Sequence, residues 1–132
     1  MVEAEQGSVA VDEDGDAVEP QRGEDLAVEH FTRLGFEVLA RNHRTRFGEL
    51  DLVVYDGNTL VFVEVKTRRA GSREPWESLH DRKRSQVRRM AIAWLTEGSN
   101  RPYGAELRFD GIAILLDSFG ELVRLDHLEA AF

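Results

Sequence analysis

The spacing of apolar residues changes period several times along the chain. Between Gln21 and Leu34, the positions Leu26, Ala27, His30, Phe31 and Leu34 recur at intervals of three and four, which is one face of a helix. Gly35 supplies its stop. Phe36 to Ala40 is short and apolar and predicts a first strand, and the polar run from Arg41 to Arg46 predicts a connection. Two arms rich in Val, Leu, Phe and Tyr follow, Phe47 to Tyr55 and Leu60 to Arg68. With Asp56-Gly57-Asn58 between them, they predict a β-hairpin. Residues 70 to 75 are a loop. A second helix starts at Trp76 or Ser78, with a break near His80-Asp81 as a variant, and runs to Glu97. Val87, Met90, Ala91, Trp94 and Leu95 form its apolar stripe, which assigns Trp94 to the core. A loop from 98 to 104 precedes a nearly continuous apolar strand, Glu106 to Leu116. A turn at 117 to 120 and an edge strand from Glu121 to Leu125 complete the pattern.

Three charges interrupt the apolar hairpin: Asp51, Glu64 and Lys66. Alternation along a strand puts Glu64 and Lys66 on one face, with Val61, Val63 and Val65 opposite. The same rule puts Leu50, Leu52 and Val54 together, opposite Asp51. Directly paired residues of a hairpin point the same way, so Asp51 and Glu64 share a face only if the loop has an even number of residues. A two-residue Asp56-Gly57 turn makes them diagonal neighbours. A four-residue loop, 56 to 59, pairs them directly.

Two carboxylates brought together repel unless a positive charge lies between them. Mg²⁺ or Mn²⁺ can supply that charge, using one or two carboxylates together with water and phosphate oxygens. Lys66 then adds a point charge for a phosphate or an attacking water. Asp…Glu-x-Lys on adjacent strands is therefore a recipe for metal-assisted hydrolysis of a phosphodiester. The plain alternative is a surface hairpin with a Glu–Lys pair and an unrelated Asp. The apolar density around the charges weighs against it, because a charge inside a buried strand needs a partner.

Gly23-Glu24, Arg41-Asn42, Arg44, Phe47 to Leu52 and Val61 to Arg68 together resemble the YraN-like family of small bacterial proteins. That family is similar to the restriction-endonuclease-like PD-(D/E)xK superfamily, near archaeal Holliday junction resolvases. The resemblance covers roughly residues 21 to 132. It implies an α/β fold with an αβββαβ core, a divalent metal and a nucleic-acid substrate. Asp51, Glu64 and Lys66 match the superfamily's Asp and Glu-x-Lys. Glu24 matches the acidic residue of the first helix that often completes the metal site. From position alone, Glu24 is either a ligand or an acid set against the helix dipole. The sequence departs from the family in three places. Leu50 replaces the proline of the superfamily's name, His43 replaces an expected aromatic, and Arg84 replaces a Gln that assists related sites. Lys83 and Gln86 remain close to that position.

The formal net charge of −8 argues against nucleic acid only if it is taken whole. Residues 1 to 19 hold seven acids and no Lys or Arg, which leaves 18 acids against 17 basic residues in the remainder. Residues 1 to 20 are thus expected to be a disordered acidic tail and 21 to 132 a single nuclease-like domain. Between 66 and 89 nine basic residues face three acids, a candidate phosphate-binding patch. Together with Arg44 and Arg46 of the preceding polar run, Arg68, Arg69, Lys83, Arg88 and Arg89 of this patch are the candidate nucleic-acid contacts. A solvated helix face is the alternative. His30 is expected at the edge of the core, His43 at a structural or solvent position, and His80 and His127 in turns or solvent. Asp110 is expected to be structural.

No apolar run is long enough to span a membrane, no signal peptide is evident, and there is no cysteine; a cytoplasmic location is expected. The expected partner is DNA, branched or otherwise structured, with RNA as the alternative. A homodimer is expected by analogy with junction-cutting relatives. Two rival readings keep the fold: a nucleic-acid-binding module with little or no cleavage, and a protein-interaction scaffold.

Overall fold

A computed structural model describes residues 10–11, 17–18, 20–71, 81–97 and 102–132, with side chains from 21 onward except those of 81–84. Helix α1 (Pro20–Arg33) leads into strands β3 (Glu37–Thr45), β4 (Gly48–Tyr55) and β5 (Thr59–Arg69). Helix α2 (Asp81–Glu97) then crosses to β6 (Glu106–Leu116), and β7 (Leu122–Leu128) closes the sheet. Two short strands precede α1, β1 (Ala10–Val11) and β2 (Ala17–Val18), and they pair antiparallel. They fall within the expected disordered tail; its other residues lie outside the described ones, apart from Pro20, which opens α1.

The five long strands form one mixed sheet in the order β3-β4-β5-β6-β7. All neighbours are antiparallel except β5 and β6, which are parallel. A parallel pair needs a crossover, and α2 provides it. The order α1, β3, β4, β5, α2, β6 is the restriction-endonuclease-like αβββαβ core.

Each face of the sheet buries its own cluster. On one, Leu26, Ala27 and Phe31 of α1 pack on Leu52, Val54, Val61, Val63, Ile112 and Ile114. On the other, Val87, Met90, Ala91 and Trp94 of α2 pack on Leu50, Val53, Leu60 and Phe62. Phe62 lies between Trp94 and Phe109, with centroids at 5.9 and 5.5 Å. Leu34, assigned to the helical stripe from spacing, is 54 % exposed, because α1 ends at Arg33.

Two boundaries differ from the sequence expectation, and a third falls outside the described residues. Strand β3 continues through Arg41 to Thr45, where the polar run predicted a connection. It is an edge strand, paired only with β4, so its hydrogen bonds do not require apolar alternation. Helix α2 is described from Asp81, and the expected start at Trp76 or Ser78 falls in residues 72–80, His80 included, which lie outside the described residues. Strand β7 runs to Leu128 and takes in His127, which spacing alone put in a turn or in solvent.

Gly23 sets how closely α1 approaches β5. A Cβ at this buried glycine would overlap Thr67 Oγ1. In an open helix, Gly→Ala would gain about 0.5–1 kcal/mol. Overpacking typically costs about 1–3 kcal/mol, so it wins here. Gly23→Ala is therefore expected to lower the urea midpoint, and Gly23→Ala in a Thr67→Ala background to raise it relative to Thr67→Ala alone. The same sign in both backgrounds would show that Thr67 does not limit the approach. Among the described residues no helix is long and apolar enough to cross a membrane.

Candidate active site

Tyr55 pairs with Leu60, Val54 with Val61, Val53 with Phe62 and Leu52 with Val63, so the loop is the four-residue one. Asp56 shapes it by accepting the N–H groups of Asn58 at 2.9 Å and Thr59 at 2.7 Å. The next positions along this register are Asp51 and Glu64. There the β4–β5 ladder ends, while β5 continues to pair with β6 as far as Arg69. The two strands part at the carboxylates. The Val65 N–H, turned toward β4, finds no backbone partner there and donates to Asp51 Oδ2 at 2.7 Å. Asp51 thus caps the fork from its side chain.

The alternation of β4 also breaks at this point. Leu52 and Val54 face α1, but Leu50 packs with Val53 against α2, contrary to the grouping expected from parity. Opposite the break, between the pairs Arg41↔Leu52 and His43↔Leu50, lies Asn42 with a φ of 50°. Asn tolerates this left-handed conformation better than most residues. The turnover of the strand brings Glu49 toward Glu24.

Glu24 is the fifth residue of α1, past its first turn, so the helix-dipole explanation for it loses its basis. Asn42 hydrogen-bonds its carboxyl, and the neighbouring Arg41 Nη2 donates to Asp25 Oδ1 at 2.7 Å. Two consecutive residues of β3 therefore hold two consecutive acids of α1. Burial pushes the Glu24 carboxyl above its ordinary range, and the charges of Glu49 and Asp25 add to this. The Asn42 hydrogen bond and Arg41 oppose the rise without cancelling it.

On β5, Leu60 and Phe62 belong to the α2 side, and alternation places Glu64 and Lys66 there too. Glu64 is buried at 6 % exposure, and Lys66 is half-buried. Among the described residues no three His, Asp or Glu side chains gather closely enough to hold a metal ion. The three-carboxylate set of Glu24, Asp51 and Glu64 is not assembled in this geometry. A pair of carboxylates such as Asp51 and Glu64 is the kind of set that could hold Mg²⁺ or Mn²⁺, which keep several waters and take one or two protein carboxylates.

The candidate nucleic-acid residues divide by accessibility. Arg44, Arg46, Arg88 and Arg89 are exposed. Arg44 approaches Glu49 at 3.8 Å, and Arg88 lies over the Phe109 ring while donating to the Phe132 carbonyl. Arg68 is instead buried at 5 % exposure and donates to the Thr67 carbonyl. Arg69 donates to the carbonyls of Asp117 and Ser118 and ties β5 to the β6–β7 turn. The Lys83 side chain lies outside the described residues. Gln86 donates to the Phe47 carbonyl at 2.8 Å, so it fixes the β3–β4 turn to α2.

The sequence profile of the uncharacterised protein family UPF0102 matches residues 23–114. A UPF0102 protein of Acidothermus cellulolyticus is 50 % identical over 103 residues, covering 70 % of this chain and 77 % of its own. One from Frankia casuarinae is 46 % identical over 113 residues, covering 83 % and 92 %. One from Rhodococcus opacus is 41 % identical over 111 residues, again covering 83 % and 92 %. The chain belongs to the UPF0102 family. This is the YraN family to which the hairpin motifs pointed. The matched span contains Glu24, Asn42, Glu49, Asp51, Glu64 and Lys66, so every acid and amide of the strand fork lies within the UPF0102 profile.

Asn42 and Glu49 carry part of the family resemblance, but the sequence reading gave them no place in the candidate site. Spacing could not single them out. Asn42 matters through its backbone conformation, and Glu49 only because β4 turns over beside it.

Proposed function

We propose that this UPF0102 protein is a metal-dependent endonuclease acting on DNA phosphodiesters. The observation that carries the reading is the fork: β4 and β5 part at Asp51 and Glu64, and Lys66 follows Glu64 on the same strand face. Asp51 and Glu64 would hold Mg²⁺ or Mn²⁺. A divalent ion there would neutralise the paired carboxylates and polarise a phosphate oxygen. Lys66 contributes a fixed ammonium beside the scissile group, where it steadies charge appearing in the transition state or orients the attacking water. The Val65 N–H holds the Asp51 carboxylate in one orientation. Exposed Arg44, Arg46 and Arg89 serve the phosphate backbone, a role that fixes position without reading sequence.

A second reading, a nucleic-acid-binding module with little turnover, is favoured by one observation. Glu24 bonds to Asn42 and does not join Asp51 and Glu64 in a three-ligand group among the described residues. Cleavage separates the two. Linear, single-stranded, flapped and four-way DNA are incubated with Mg²⁺ or Mn²⁺, beside Glu64→Ala. A nuclease cuts at least one substrate, only with metal, and Glu64→Ala does not. In parallel, Mg²⁺ or Mn²⁺ is expected to raise the melting temperature, since an ion bound only to the folded state stabilises it by mass action. Asp51→Ala should remove that rise. A metal response that survives Asp51→Ala takes Asp51 out of the site.

A further inference from the structure

A groove lies between the β3–β4 turn and α2. It consists of two cavities of about 460 and 470 Å³ that share Phe47 and Arg89. Phe47, Ile92 and Ala93 give the first an apolar floor. Ile92 is 60 % exposed, on a helix that otherwise buries Val87, Met90, Ala91 and Trp94. The Arg46 guanidinium lies 4.9 Å from the Phe47 ring centroid, and that of Arg89 lies 6.0 Å from it. Both arginines are exposed. A ring that holds two guanidiniums reduces the rotamer freedom they would lose on meeting an anion.

The turn carrying the ring is itself fixed. Gln86 Nε2 donates to the Phe47 carbonyl at 2.8 Å, the Phe47 N–H donates to Thr45 Oγ1 at 3.0 Å, and Thr45 Oγ1 donates to the Gly48 carbonyl at 2.8 Å. Gly48, at a φ of 135°, lies so close to Gln86 and Met90 that a Cβ there would press on both. The groove is preorganised in the sense that its shape does not await a ligand.

An occupant must satisfy both parts of the groove. A purely apolar partner would desolvate two cations, and a bare phosphate would leave the Phe47–Ile92–Ala93 floor wet. A nucleotide has a flat apolar face and an anionic link. Glu97 lines the opposite end, where its carboxylate approaches His43 Nε2 at 3.6 Å, so a phosphate is directed to the arginine end and the base to the floor. Paired bases are hidden inside a duplex and cannot reach the floor, whereas unpaired bases stack on aromatic and guanidinium planes. Phe47 precedes Asp51 by four residues, about 13 Å of strand at roughly 3.3 Å per residue. A strand lying in the groove would therefore continue toward the fork.

We infer that this groove binds unpaired nucleotides, so that the substrate is a nucleic acid with a single-stranded segment next to the scissile phosphate. The inference rests on the nucleic-acid reading of the fork. It is tested by equilibrium binding of fluorescein-labelled oligo(dT) and of a blunt duplex of equal length, in Ca²⁺ and without cleavage. Wild type should prefer the single strand. Phe47→Ala should lose about 5- to 150-fold in single-strand affinity, the scale of one stacked base, while duplex affinity changes less than about threefold. Because Phe47 also packs against the core, Ile92→Asp serves as a second variant. It alters an exposed position, puts a carboxylate on the floor and should cause a comparable selective loss. Equal single-strand affinity in wild type and both variants overturns the inference, as does a wild type that binds duplex as well as single strand or ignores both. Selective binding with no cleavage of any substrate would leave the groove standing and remove the nuclease. Metal-dependent cleavage unaffected by either variant would do the reverse.

Discussion

Lys66→Ala is expected to lower the single-turnover cleavage rate by about 10²–10³ and to leave DNA affinity within a few-fold, the scale of losing one preorganised electrostatic partner. The split follows from where the ammonium acts. A cation that bound ground-state phosphate and transition state equally would change affinity and leave the chemical step alone. Lys66 follows Glu64 on one face of β5, next to the point where the strands part, so on the proposed function its charge would act at the reacting centre. On the proposed function, the exposed cations Arg46 and Arg89 would hold the substrate backbone. Lys66→Arg should rescue only in part, since a planar fork does not reproduce a compact point charge. The measurement is single-turnover cleavage at saturating enzyme, paired with equilibrium binding in Ca²⁺. A collapse of affinity without any cleavage in wild type would favour the binding module. Cleavage at the wild-type rate by Lys66→Ala would place the chemistry elsewhere.

The parts of this site that the sequence disclosed are those controlled by period-two alternation over several residues. The apolar arms and the turn at Asp56 follow from side chains that must face a core, whereas the choice between a two-residue and a four-residue loop stays open until the register is seen. The remainder depends on single residues or on distant partners. The left-handed Asn42 and the turnover at Asp51 are a one-residue rotation, and hydropathy does not record a rotation. Its consequence, Glu49 beside Glu24, contradicts simple parity. The polar segment Arg41–Thr45 looks like a linker because an edge strand needs hydrogen bonds on one flank only. Arg68 and Arg69 look like phosphate contacts because a charge count carries no burial. One is interior, and the other binds carbonyls 48 and 49 positions away. His127 was assigned to solvent because neither of its partners is near it in the sequence.

Those partners give the largest expected effect on stability. Asp110 is fully buried in β6, and no water is needed to satisfy it. Arg108 donates to both of its oxygens at 2.9 and 2.8 Å, the Ala130 N–H donates to Oδ1 at 3.1 Å, and His127 Nε2 lies 2.7 Å from Oδ2. A carboxylate only accepts, so His127 Nε2 donates to Asp110, and His127 Nδ1 lies 2.9 Å from His30 Nε2. The network joins α1, β6, β7 and the C-terminal residues. Asp110→Ala leaves Arg108 and His127 without their common acceptor and is expected to cost about 3–5 kcal/mol, the penalty of breaking a buried ion pair from one side. Asp110→Asn should cost less, because its amide oxygen still accepts one donor.

The same groups set the acid limit. Burial alone would raise the Asp110 carboxyl, but the hydrogen bonds from His127, Arg108 and Ala130 outweigh it and leave the group below its ordinary value of 3.8. For His30, burial first, then the charges of His127 and Arg33, hold the ring below its ordinary 6.5. In both cases the unfolded chain binds the proton more readily than the folded one, so stability rises with pH through each window. The His30 contribution is complete above about 6.5 and is lost as pH falls below it. The Asp110 contribution is complete above about 3.8 and is lost as pH falls further. Urea midpoints measured from pH 7.5 downward should therefore fall in two stages. His30→Gln should remove the first stage while sparing the second, and Asp110→Asn should abolish the second. A wild-type midpoint that stays flat between about pH 7 and 5, the interval around the ordinary His value, would mean that the His30 ring is not held neutral by the fold.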